Sequence, residues 1–155
     1  MKSVSKAKIK KIKLLALDVD GVLTDGRIII DSDGREIKNF NVLDGFGIVK
    51  MRHLGFKVAI ITARSSEPVT FRAKDLKIDK VYQDAYPKIE AYSKMLEELQ
   101  VTDEEVCYIG DDIPDLDVLK RVGFAVAVEN AHEELKKIAH YITEKRGGSG
   151  AVREV

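Results

Sequence analysis

The sequence has no surplus of charge. Its 26 lysines and arginines balance 26 aspartates and glutamates, so the formal net charge is zero. A protein that holds nucleic acid by bulk electrostatics needs a basic excess, and that partner class is excluded. Cysteine is nearly absent. Cys107 stands alone, so no disulfide can form within the chain, and its place in an apolar run marks a small buried residue rather than a nucleophile. No apolar run approaches the ~18 residues that a membrane-spanning helix needs. Residues Met1–Lys13 carry six lysines but no apolar segment of the kind a secretion signal requires. That stretch reads as a solvated lead-in, with no membrane partner and a cytoplasmic location expected. The three histidines, His53, His132 and His140, are scattered, and neither they nor Cys107 adjoin the aspartate clusters at residues 18–20 and 111–115. Zinc chemistry is thereby excluded.

What is present is a chain of 155 residues, 45% apolar and 34% charged, long enough for a proper core. One domain is expected over residues 1–155. Short apolar runs alternate with helix-period segments, the pattern of a parallel sheet covered on both faces. Ile12–Val19 reads as a central strand because it is apolar on both faces. Asp31-Ser32-Asp33-Gly34 lies between two strand-like pieces and signals a hairpin over residues 27–40. Asp44 reads as the cap of a helix ended by Gly55. Further strands are expected at Lys57–Thr62, Lys80–Tyr82, Val106–Ile109 and Phe124–Val128. Helices are expected near 66–76, 87–99, 113–121 and 131–139. Residues 146–155 open with Arg-Gly-Gly-Ser-Gly and read as a flexible tail. The fold class is therefore α/β: a three-layer, Rossmann-like parallel sheet with helices on both faces, a β-hairpin flap and no separate cap domain.

In such a sheet, sites form beyond the carboxyl ends of the strands. Four expected strand ends carry polar groups: Asp18 with Asp20, Thr62 with Arg64, Asp84 followed by Lys88, and the cluster Asp111 to Asp115. Crowded carboxylates resist joint ionisation, and a hard divalent cation removes that cost. Oxygen donors of this kind suit Mg²⁺. The metal ligands expected are Asp18, Asp20 and Asp111, with Asp112 and Asp115 behind them. Asp18 is the candidate nucleophile toward a phosphate ester. Asp20 is the candidate acid and base. Thr62 and Lys88 can hold the phosphoryl oxygens and stabilise developing charge. Arg64 is placed to bind a substrate phosphate or carboxylate.

The motifs DVDGVLTDG, ITARSS, Lys88 and GDDIPDLD occur in that order between residues 18 and 117. Together they resemble the haloacid dehalogenase superfamily of phosphotransferases. FNVLDGFGI and the tail GGSGAVREV extend the likeness over nearly the whole chain, to the branch acting on phosphorylated keto sugar acids. The resemblance implies a Mg²⁺-dependent phosphatase for an eight-carbon sugar-acid phosphate, feeding lipopolysaccharide precursor synthesis, with a nine-carbon acid as the alternative. It also places Asn41 and Asp44 where the family approaches substrate. The segment Gln83-Asp84-Ala85-Tyr86-Pro87-Lys88 departs from the pattern, because a glycine is expected near Asp84.

Residues 21–61 separate Asp20 from Thr62, and residues 63–87 separate Thr62 from Lys88. Neither interval holds a cap domain, yet a small substrate must be shielded from water. Either the substrate is macromolecular or a neighbouring subunit supplies the lid; the resemblance implies the second, in a homotetramer, with Arg146 and Arg153 on a mobile tail. Two other classes compete. A receiver-like phosphoaspartate signalling domain also uses acids, Mg²⁺, Thr and Lys, but its acceptor follows a middle strand and lacks a second acid at the position of Asp20. A non-catalytic scaffold has no need of this residue set.

Overall fold

The structure, a computed structural model, describes residues 6–155. The lysine-rich lead-in falls partly on residues 1–5, which lie outside the described residues. In chain order the elements are helix α1 (Lys6–Ile9), strand β1 (Leu14–Leu17), the hairpin strands β2 (Ile29–Ile30) and β3 (Glu36–Ile37), and α2 (Val42–His53). Then come β4 (Lys57–Ile61), α3 (Glu67–Asp75), β5 (Lys80–Tyr82), α4 (Lys88–Leu99) and β6 (Val106–Gly110). The chain closes with α5 (Leu116–Leu119), β7 (Phe124–Ala127), α6 (Glu133–Ile138), β8 (Tyr141–Ile142) and α7 (Ala151–Glu154).

Six strands form one all-parallel sheet in the order β5-β4-β1-β6-β7-β8. The central pair explains itself. All four residues of β1 and all five of β6 are buried, so both faces of each strand must be apolar or small. Helix α2 packs on α7 on one side; α4, α5 and α6 pack in series on the other. Helix α4 shows how the pattern works locally. Tyr92, Met95 and Leu99 recur at helical spacing and are buried, and the helix ends where Gln100 turns left-handed at φ 52°. From β1 the chain winds outward through β4 and β5, then returns to β6 and winds the other way. The crevice between the carboxyl ends of β1 and β6 is therefore the switch point of the sheet, where ligands bind in folds of this type.

Several expected boundaries move. The first strand is Leu14–Leu17 rather than 12–19, and the last expected helix shrinks to Glu133–Ile138. Helix α2 starts three residues early: Asn41, not Asp44, is its cap, accepting from the Leu43 amide at 2.8 Å. The flexible tail is corrected most. Residues 146–155 pack as a turn and a short helix, with Ala151 and Val152 buried. The Asp44 carboxylate draws them in, accepting from the amides of Arg153 at 2.8 Å and Gly150 at 3.3 Å. Within this segment Arg153 lies over the Phe46 ring and Arg146 pairs with Glu129. The hairpin is present, reduced to two-residue strands.

Candidate active site

Asp18 follows β1 directly, and its amide donates to Ile109 O in the neighbouring strand at 3.1 Å. Asp111 follows β6. The two carboxylates thus face each other across the switch point. Their approach needs Gly21: a Cβ there would collide with the Asp111 carboxylate, and the residue sits at φ 93°, a conformation that favours glycine. Carboxylate oxygens of Asp18, Asp111 and Asp115 all lie within 4.8 Å of one another.

Lys88, at the first position of α4, bridges two of them. Its Nζ is 2.7 Å from Asp18 Oδ1 and 2.6 Å from Asp115 Oδ1. The Lys88 side chain is only 3% exposed, which is tolerable for an ammonium because both partners are anionic. Against the cost of burial, Asp18 and Asp115 hold its pKa above the ordinary lysine value. Asp115 is fully enclosed. Its Oδ1 also takes the Tyr108 hydroxyl at 2.6 Å, and its Oδ2 takes the amides of Asp111 at 3.0 Å and Asp112 at 3.3 Å. With four donors already on its oxygens, Asp115 belongs behind the ligand sphere, orienting Lys88 and the turn that carries Asp111.

The electrostatics test whether a cation fits. Burial, then the Asp115 charge, pushes the Asp18 carboxyl up to about 6 against the pull of Lys88. Burial, then Asp18 and Asp115, pushes Asp111 up to about 9. One lysine does not balance this cluster. The donors are all oxygen, so a hard divalent ion such as Mg²⁺ fits the site by charge and by chemistry.

Asp20 stands apart from the trio. Its carboxylate pairs with Lys38 through Oδ1, while Arg64 Nε lies 3.8 Å from Oδ2. The Asp20 carboxylate is turned to the basic side of the cleft and lies outside the group of close carboxylate oxygens that Asp18, Asp111 and Asp115 form. Thr62 follows β4 and is buried. Asp112 spends one oxygen on the Ile113 amide at 2.8 Å as the cap of a short 3₁₀ turn. Asp18, Asp20, Thr62, Arg64, Lys88, Asp111, Asp112 and Asp115 all line one open cleft of about 320 Å³. Asn41 and Asp44 do not line it. The Asn41 amide reaches Gly148 O at 3.2 Å, and Asp44 holds the C-terminal turn. Lys38, Glu36 and Tyr108 escaped sequence reasoning. For the first two a signal existed: Glu36 and Lys38 alternate with Ile37, placing two charges on one face of a strand beside the motifs.

The chain belongs to the haloacid dehalogenase-like hydrolases, whose family model matches residues 66–155. Within that class it is similar to one particular enzyme from several bacteria. It is 47% identical to the 3-deoxy-D-manno-octulosonate 8-phosphate phosphatase of Escherichia coli K12, over 96% of this chain and 79% of the relative. The crystal structure of the same phosphatase from Moraxella catarrhalis, in complex with a magnesium ion, a phosphate ion and a KDO molecule, superposes with a TM-score of 0.93. It is 44% identical, covering 96% of this chain and 85% of that one. The Yersinia pestis phosphatase structure matches at TM-score 0.93 and 45% identity, over 96% of this chain and 80% of that chain.

Proposed function

We propose that this chain is a Mg²⁺-dependent phosphatase that hydrolyses 3-deoxy-D-manno-octulosonate 8-phosphate to the free sugar acid and phosphate, a step in making lipopolysaccharide precursors. The observation that carries the chemistry is the division of the carboxylates. Asp18 sits in the crowded cluster beside Lys88, and Asp20 faces the other way, toward Lys38 and Arg64. That division supports a nucleophilic role for Asp18 and a proton-transfer role for Asp20.

Asp18 attacks the phosphorus and the ester oxygen departs. Asp20 gives that oxygen its proton, then takes one from the water that attacks the phosphoaspartate. The second displacement frees Asp18 and inorganic phosphate. Thr62 donates to a phosphoryl oxygen and Lys88 pairs with the same group, while Asp115 and Tyr108 keep Lys88 in place. Asp18 and Asp111 would hold Mg²⁺, which would supply charge neutralisation at the phosphoryl group. Arg64, about half exposed at the cleft, suits the substrate carboxylate.

The chain is read as one catalytic domain over residues 1–155, and as a homotetramer whose neighbouring subunit closes the cleft. Two facts support the assembly. The cleft is open, and the hairpin presents Ile28, Ile29, Ile30 and Ile37 to solvent, which is unusual for so short a segment. The cytoplasm is the proposed location; among the described residues no helix is long and apolar enough to cross a membrane.

Phosphate release from the eight-carbon and the nine-carbon acid phosphates, with Mg²⁺ or a chelator, tests the reading. Release favouring the eight-carbon substrate, abolished by chelator and by Asp18→Asn, is expected. Preference for the nine-carbon acid would move the substrate assignment, and no release from either would refute it.

A further inference from the structure

Lys38 directly follows strand β3 of the hairpin, and no motif of the sequence includes it. Its side chain is 1% exposed, rare for a lysine. A buried ammonium is costly unless paired, and two carboxylates pair it here: Asp20, and Glu36 at 3.2 Å. Glu36 is itself secured from the far side of the cleft. Arg64 Nη2 donates to it at 3.0 Å, and the Ser66 hydroxyl donates to its second oxygen. Both oxygens of Asp20 thus face cations, and both cations are tied to one anchor, Glu36. Arg64 is the looser of the two, at 3.8 Å from Asp20 with its side chain 46% exposed. Lys38 is the rigid one.

We propose that Lys38 is a positioning residue that fixes the Asp20 carboxylate over the cleft, apart from the Asp18–Asp111 cluster, so that one carboxylate serves both proton transfers. The proposal rests on the reading of Asp20 as acid and base. An aspartate at the mouth of an open cleft has several rotamers, and only one aims it at the ester oxygen. General acid–base catalysis contributes about 10²–10⁴-fold and depends on that aim. The hairpin delivers the hold from 18 positions further along the chain. Its isoleucines are exposed to solvent, so its inward ties are polar: Lys38 to Asp20, and Glu36 to Arg64 and Ser66.

The test uses two substrates that differ in their need for a proton. The sugar-acid phosphate leaves as an alkoxide and needs one; p-nitrophenyl phosphate has a leaving group that departs without one. Lys38→Met, Lys38→Arg and Asp20→Asn are compared with wild type in Mg²⁺. The readouts are steady-state turnover on the sugar phosphate and the pre-steady-state burst of nitrophenolate, which reports phosphoenzyme formation alone. Lys38→Met is expected to lower kcat on the sugar phosphate by about 10²-fold with little change in KM. The nitrophenolate burst should persist at close to the wild-type rate, and Lys38→Arg should recover part of the lost turnover. Equal losses in both readouts, or turnover that is unchanged or raised, would overturn the proposal. If Asp20→Asn itself shows no split between the substrates, the acid–base reading of Asp20 falls, and the role of Lys38 with it. Should Lys38→Met fail to fold, Glu36→Gln loosens the same tether: the split supports the proposal and its absence overturns it.

Discussion

Asp111 is the residue whose state the metal decides. Without a cation its carboxyl, pushed up to about 9, is protonated at neutral pH. A carboxyl raised above its unfolded value near 4 gives stability at low pH that is lost as pH climbs through the folded value. Asp18, pushed up to about 6, adds to the same slope. Metal-free protein should therefore melt at progressively lower temperature between about pH 4 and 9, and Mg²⁺ should remove the fall, since metal binding displaces protons. Asp111→Asn should flatten the metal-free slope and abolish stabilisation by Mg²⁺. Thermal melts across pH, with Mg²⁺ and with chelator, check both; a slope untouched by the substitution would contradict the assignment. At this scale the sequence was most readable where chemistry sits at strand ends. Asp18, Thr62 and Asp111 follow β1, β4 and β6, so periodicity and composition located them together. Lys38 was hidden because its meaning lies in Asp20, a partner 18 positions away along the chain. The direction of the Asp20 carboxylate was not legible, because two-residue spacing cannot say which way a side chain turns beyond the strand.

Among the elements, the C-terminal segment differs most from its composition. Arg-Gly-Gly-Ser-Gly reads as flexible, yet two of the glycines are there for close approach. A Cβ on Gly147 would collide with the Gly21 carbonyl, and one on Gly148 with the backbone at Thr24 and Asp25. The turn thus braces the loop that carries Asp20, and α2 holds the turn through Asn41 and Asp44. Local patterns cannot reveal this, because glycine for contact and glycine for flexibility look alike in a sequence. Asp44→Ala leaves the amides of Gly150 and Arg153 without their acceptor, costing about 1–3 kcal/mol. A lowered melting temperature with an unchanged KM is expected. A large rise in KM with normal stability would instead return Asp44 to the substrate.

For the whole molecule, the sheet was legible because parallel strands buried on both faces must be apolar throughout, and β1 and β6 are. The proposed assembly rests, in the sequence, only on a deficit: no interval between the motifs has room for a cap. The structure adds the isoleucines of the hairpin. Ile30, 61% exposed, is a direct probe. Ile30→Asp puts a charge into the proposed contact and should yield smaller species by light scattering, with turnover falling alongside. Full activity in a monomer would show that the cleft needs no neighbour.

The central claim is that Asp18 carries the phosphoryl group. Acid quenching during turnover of the sugar-acid phosphate, followed by peptide mass analysis, tests it most directly. A phosphoryl adduct on the peptide containing Asp18, absent in Asp18→Asn and accumulating in Asp20→Asn under a substrate that needs no proton, is the result predicted. Phosphate release at full rate from Asp18→Asn, or an adduct on another residue, would contradict it.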